Sequence, residues 1–135
     1  MTQISSFVIS ADVLIAAFSG NNKNKRAATL ILDKGMNNSA YITEPDLIAF
    51  ISHMAKKKPA NELKCLVEDI QLVYKILVPS TNAIVGAISL MINKKIVYNE
   101  ALLVEIMKES NLFVVYSFNL RPLAGLKVKR KYTGK

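Results

Sequence analysis

The stretch Phe7-Val8-Ile9-Ser10-Ala11-Asp12-Val13-Leu14-Ile15 decides the fold. Three residues of high β preference run straight into a helix opening, with no glycine or proline between them. Ser10 is the expected N-cap, and Asp12 falls in the first helical turn, where the helix dipole favours negative charge. The helix is predicted to continue through Ala17, and Gly20-Asn21-Asn22 to end it. A strand that hands over to a helix this abruptly is the opening half of a β-α-β unit, so the fold turns on whether the handover recurs.

It recurs along the whole chain. A second helix is predicted through Arg26 to Lys34, stopping at Gly35, and Ala40-Tyr41-Ile42 reads as the second strand. Thr43-Glu44-Pro45-Asp46 opens the next helix with a capping hydroxyl, Pro in the first turn and an acid three residues after the Thr. That helix passes Ile51 and Met54 and ends in Lys56-Lys57-Lys58-Pro59. Leu63, Leu66, Val67, Ile70 and Val73 share one face of a helix from Asn61 to Tyr74. Ile76-Leu77-Val78-Pro79 is a third strand, followed by a helix capped by Ser80 or Thr81 and carrying Ile84, Ile88 and Leu90. Asn99 is the expected cap of a helix from Glu100 to Glu109. Leu112-Phe113-Val114-Val115-Tyr116 is almost continuously apolar, as a strand covered on both faces must be. The alternation predicts an α/β, three-layer α/β/α fold, with a central parallel sheet of about four to five strands and helices on both faces. Residues 1–122 form the expected domain, and 123–135 a basic C-terminal tail or final strand.

Composition agrees with a single packed domain: 135 residues, 51% of them hydrophobic, with only 5 Gly and 4 Pro. The formal charge of +8 implies attraction to phosphate backbones or acidic partners. Lys127, Lys129, Arg130, Lys131 and Lys135 supply much of it, and a merely solvated tail is the competing interpretation. The lone Cys65 excludes an internal disulfide and a cysteine-based metal cluster. Phe7 to Phe18 is too short to span a bilayer and carries Asp12, and Met1 to Ser6 lacks a basic leader, so a cytoplasmic protein with no membrane role is expected.

At its strand-to-helix turns the sequence resembles the PIN-domain family, in particular the short PIN ribonucleases that act as toxins of toxin–antitoxin pairs. Phe7 to Ile15 is similar to the family's first strand and its Asp-x-Asn-Val-Leu-Ile turn. Ile42-Thr43-Glu44-Pro45-Asp46-Leu47-Ile48-Ala49-Phe50 resembles the second motif, in which a Ser or Thr precedes a helical Glu by six residues. Tyr98-Asn99-Glu100-Ala101-Leu102 is similar to the Tyr-x-Asp-Ala-Leu motif, and Phe113 to Asn119 to the last strand with its Thr-x-Asp turn. The likeness runs from Phe7 to Pro122.

The resemblance implies a nuclease in which clustered carboxylates hold Mg²⁺ or Mn²⁺. Such ions prefer several hard oxygen ligands, activate water and neutralise charge on the reacting phosphate. This chain departs from the family pattern at each acidic position. The first Asp falls on Ser10, the helical Glu on Ala49, the third acid on Glu100 and the fourth on Asn119. The degenerate catalytic set implied is Asp12, Glu100 and Asn119, with Asp12 and Glu100 as metal ligands. Asp46 lies one turn before Ala49 and has a full account as part of the Thr43 cap. Arg121, Lys23, Lys25 and Arg26 are the expected phosphate contacts, joined by Lys127, Lys129, Arg130 and Lys131. Tyr41, Tyr98 and Tyr116 sit on or beside strands, where aromatics serve the core more often than they stack on bases. Three functions stay open. The first is a non-catalytic PIN-like protein binding RNA or a protein partner. The second is an Mg²⁺- or Mn²⁺-dependent endoribonuclease. The third is an interaction protein, a homodimer whose apolar helices take an acidic, antitoxin-like peptide.

Overall fold

A computed structural model describes residues 6–20, 23–37, 40–118 and 127–129. In chain order the elements are β1 (Phe7–Ile9), α1 (Ala11–Phe18), α2 (Lys25–Asn37), β2 (Ala40–Thr43), α3 (Glu44–Met54) and α4 (Ala60–Val73). Then follow β3 (Lys75–Leu77), α5 (Thr81–Lys94), α6 (Tyr98–Glu109), β4 (Val114–Tyr116) and β5 (Lys127–Lys129). The five strands form one sheet in the order β3-β2-β1-β4-β5, every neighbouring pair parallel. β1 is its centre: Val8 pairs with Tyr41 on one side and with Val115 on the other.

The period of two along the strands divides the core into two layers. Phe7 and Ile9 of β1, with Ala40 and Ile42 of β2, pack under α1 to α4, against Leu14, Ile31, Phe50 and Ile70. Val8 and Val115 point the other way, onto Met107 of α6 and Leu112. The fold is therefore the expected three-layer α/β/α sandwich. α5 and α6 also pack on each other, with the small Ala83, Ala87 and Ala101 allowing close approach of the two helices and Leu102 and Ile106 filling the space beside them.

Three local expectations need correction. α2 does not stop at Gly35 but continues to Asn37. Gly35 is there for space: a Cβ would meet the Ala40 Cβ at 2.8 Å and a Tyr74 ring carbon at 3.1 Å. α6 begins at Tyr98 with Val97 at the cap position, so Asn99 lies inside the first turn. β4 is limited to Val114–Tyr116, and Phe113, 57% exposed, lies outside the sheet.

Candidate functional site

The carboxyl ends of β1, β2 and β4 converge where a parallel sheet normally places its ligands. β1 and β4 are held together there by the Ser10 amide, which donates to the Tyr116 carbonyl at 3.1 Å. Ser10 occupies the cap position of α1 but its hydroxyl does not cap; it donates to Asp12 instead. Asp12 also accepts from the Ser117 hydroxyl at 3.0 Å and from the Phe118 amide at 2.9 Å, both on one oxygen, Oδ2. Both oxygens of Asp12 are thus engaged, and the carboxylate ties α1 to the turn after β4.

Asp46 stands close by. Thr43, 1% exposed, accepts from the Asp46 amide at 3.4 Å and donates to its Oδ2 at 2.8 Å, so the predicted cap is real. Burial pushes the Asp46 carboxyl up to about 6, and the Asp12 charge adds to the rise, while the Thr43 hydroxyl and the Ala11 amide oppose it. The amide contact places Asp46 at the N-terminus of α1, in the positive field of that helix. Thr43, Pro45, Asp46 and Ala49 of the β2–α3 turn and helix line a cavity of about 50 Å³ with Asn99 and Leu103 of α6.

The structure brings Asp12 and Asp46 together. From α6 it brings Asn99, and not the half-buried Glu100, into that cavity. Sequence reading set Asp46 aside because the capping pattern explained it; its nearness to Asp12 follows only from α1 packing beside α3. A Mg²⁺ or Mn²⁺ ion does not fit the residues present. Asp12 already accepts protein hydrogen bonds on both oxygens, Asp46 accepts from the Thr43 hydroxyl, and Ala49 and Asn99 add no charge. Among the described residues no three His, Cys, Asp or Glu side chains stand together as ligands would.

Lys23, in the turn before α2, and Arg26, in its first turn, are exposed, while the Lys25 ammonium donates to the Ser19 carbonyl at 3.1 Å, at the C-terminal end of α1. Asn119, Arg121, Arg130 and Lys131 lie outside the described residues; Lys127 and Lys129 belong to β5, which pairs with β4 through Val114–Lys127 and Tyr116–Lys129. Tyr116 is stacked on Phe7 at 4.6 Å and accepts a contact from Lys34 at 2.6 Å, and Tyr98 packs between α5 and α6, so both serve the fold.

A second concavity lies away from the strand ends, between α1, α2 and α4. It measures about 310 Å³ and is lined by Phe18, Leu32, Met36, Leu66, Ile70 and Val73 among its apolar residues. Its charged members are Asp33 and Asp69, both acidic. Tyr74 closes its floor, its hydroxyl donating to the Leu32 carbonyl at 2.7 Å; burial raises that phenol to about 12, with Asp33 adding. Asp33 and Asp69 each adjoin a core residue, Leu32 and Ile70, and that neighbourhood was the only trace of them in the sequence.

No protein-family model matches the sequence, and no curated protein does. Solved structures match along nearly its whole length. A toxin–antitoxin complex from Klebsiella pneumoniae is 17% identical with a TM-score of 0.71, covering 93% of this chain and 97% of that one. VapC20 of Mycobacterium tuberculosis, a toxin that cleaves the sarcin–ricin loop, is 11% identical with a TM-score of 0.76, covering 92% and 98%. VapBC2 of Rickettsia felis, bound to a DNA fragment from its promoter, is 14% identical with a TM-score of 0.71, covering 93% and 98%. At these identities the likeness establishes the fold, and the fold is the PIN type found in such toxins.

Proposed function

We propose that this chain is a toxin-like PIN protein that holds a protein partner in the groove between α1, α2 and α4, and that its acidic turn has passed from metal binding to a structural role. The observation that carries this reading is the contrast between the two concavities. At the strand ends the carboxylates are consumed by the fold, whereas the groove offers an apolar floor with acidic sides. Apolar grooves of this kind take the apolar face of an amphipathic helix. The structural neighbours include a toxin–antitoxin complex, which supports a partner of that class.

The groove changes one expectation about the occupant. An acidic peptide would set its charge against Asp33 and Asp69, so the fitting segment is amphipathic and basic. The test is titration with a short amphipathic peptide carrying Leu on one face and one Arg on its edge, beside the same peptide with Glu for Arg. The Arg peptide should bind more tightly, Ile70→Glu should abolish binding, and Asp69→Lys should invert the preference. Equal binding of both peptides to wild type and Asp69→Lys would overturn the assignment.

A second reading, an endoribonuclease using Asp12, Glu100 and Asn119 with Asp46, is favoured by the proximity of Asp46 to Asp12. Mn²⁺ titration calorimetry separates the two. Saturable binding that is lost in both Asp46→Ala and Glu100→Ala would establish a metal centre and displace the non-catalytic reading.

A further inference from the structure

β3 is the outermost strand on its side of the sheet. It pairs with β2, and among the described residues nothing pairs with its other side. An open edge presents unpaired N–H and C=O groups, and proteins blunt such edges with lysine, proline or a cover. Here Lys75 and Pro79 stand at the two ends, and between them Ile76-Leu77-Val78 carries neither charge nor proline. Val78 is 65% exposed, and Leu72, just before the strand, is 85% exposed. Beside the edge lies a concavity of about 540 Å³, lined by Tyr41 of β2 and by the chain from Gln71 to Leu77. Its lining shares Val73 and Tyr74 with the groove between α1, α2 and α4, so the two adjoin at Val73, which is itself exposed.

We infer that the partner held in the groove crosses Val73 and lays an extended segment along β3 as an added strand, with an acidic side chain toward Lys75. The added strand builds on the groove-bound helix proposed above and gives the partner a second element. Position is the first support, because a chain leaving the groove over Val73 meets the open edge at once. Charge is the second. Lys75 is the one charged residue lining this concavity, its ammonium 5.9 Å from the centre of the Tyr41 ring, and among the described residues no carboxylate pairs with it. The groove carries Asp33 and Asp69 instead. The fitting partner is therefore polarised along its length, a basic amphipathic helix joined to an acidic strand. Two β3 edges of separate copies would bring two lysines and no acid to one short ribbon. Preorganisation is the third support. Ile76 packs on the core under α1 to α4 and Leu77 on the side of α5 and α6, so the edge is held extended before a partner arrives. Main-chain hydrogen bonds then supply affinity, and alternate side chains supply specificity.

Two measurements on the full chain test the added strand. In the first, the Leu- and Arg-bearing peptide of the groove titration is extended, at one end or the other, by a short flexible linker and the tail Val-Glu-Val-Thr-Val. One of the two tailed peptides should bind at least about tenfold more tightly than the untailed one, since tethering holds the tail at a millimolar effective concentration. N-methylation of alternate tail amides should remove the gain, because it blocks main-chain pairing and keeps the side chains. Lys75→Glu should reduce the gain by about threefold, and a tail with Lys for Glu should recover it. In the second, amide hydrogen exchange within Lys75–Leu77 should slow with the tailed peptide and not with the untailed one. Binding of the untailed peptide with no gain from either tail would overturn the added strand and leave the groove standing. Failure of the untailed peptide, with exchange slowed by millimolar tail alone, would overturn the groove and uphold the strand. A gain that survives N-methylation, or exchange that slows with protein concentration alone as two edges pair, would also overturn the inference.

Discussion

Asp12 receives three hydrogen bonds, from the hydroxyls of Ser10 and Ser117 and the amide of Phe118, and so binds the first helix to the turn after β4. Asn has one acceptor oxygen where Asp has two, so Asp12→Asn leaves a half-buried donor unmatched. The expected cost is roughly 1–3 kcal/mol in urea unfolding, and a change within about 0.5 kcal/mol would deny Asp12 its structural role. Asp46 predicts a pH signature. Its carboxyl is raised from 3.8 to about 6, so the neutral form is the one favoured in the folded state. That contribution is full below pH 4 and disappears as pH rises to about 6. Asp46→Asn should therefore gain stability relative to wild type between those limits, by roughly 1–3 kcal/mol. A difference between the two proteins that does not vary with pH would contradict it. At this scale the sequence was half legible. The Thr43 cap could be read from spacing alone, because capping is local. The meeting of Asp12 with Asp46 could not, because it depends on how two helices far apart in the chain lie together.

Elements were legible where hydrophobic period and caps agreed, as at α3, whose Thr43-x-x-Asp46 start and Pro45 reproduce the predicted opening. They were misread where one residue carried two meanings. Gly35 has the look of a helix stop, yet it is spaced for contact with β2 and with Tyr74 just after α4. Gly35→Ala should accordingly destabilise by about 1–3 kcal/mol through overpacking, against a helix-propensity gain of at most about 1 kcal/mol. Thermal unfolding decides between them, and a stabilised variant would show that Ala40 and Tyr74 can yield. α5 was read correctly as a helix carrying Ile84, Ile88 and Leu90. Only burial separates Leu90, packed toward α6, from the two isoleucines on the open face. Period alone does not say which of two apolar stripes the chain covers for itself.

Across the whole molecule, strand–helix alternation was enough to predict a parallel α/β/α sheet, because parallel neighbours demand crossover connections and helices supply them. The strand order was not readable, since apolar strands carry no address. In the order found, the first strand is the middle one, with Val8 beside Tyr41 and also beside Val115. That feature has a consequence for a chain made on the ribosome. The partners on one side of β1 emerge soon after it, while those on the other side emerge more than a hundred residues later. At bacterial or eukaryotic elongation rates of about 5–20 residues per second, this is a wait of several seconds. Throughout it, one long side of the central strand has no neighbour and Val8 has no cover. Nascent chains arrested before β4 should be held by chaperones or cleaved readily by protease, and chains arrested well after it should not. Birth, more than mature stability, is the stage at which this arrangement leaves the molecule exposed.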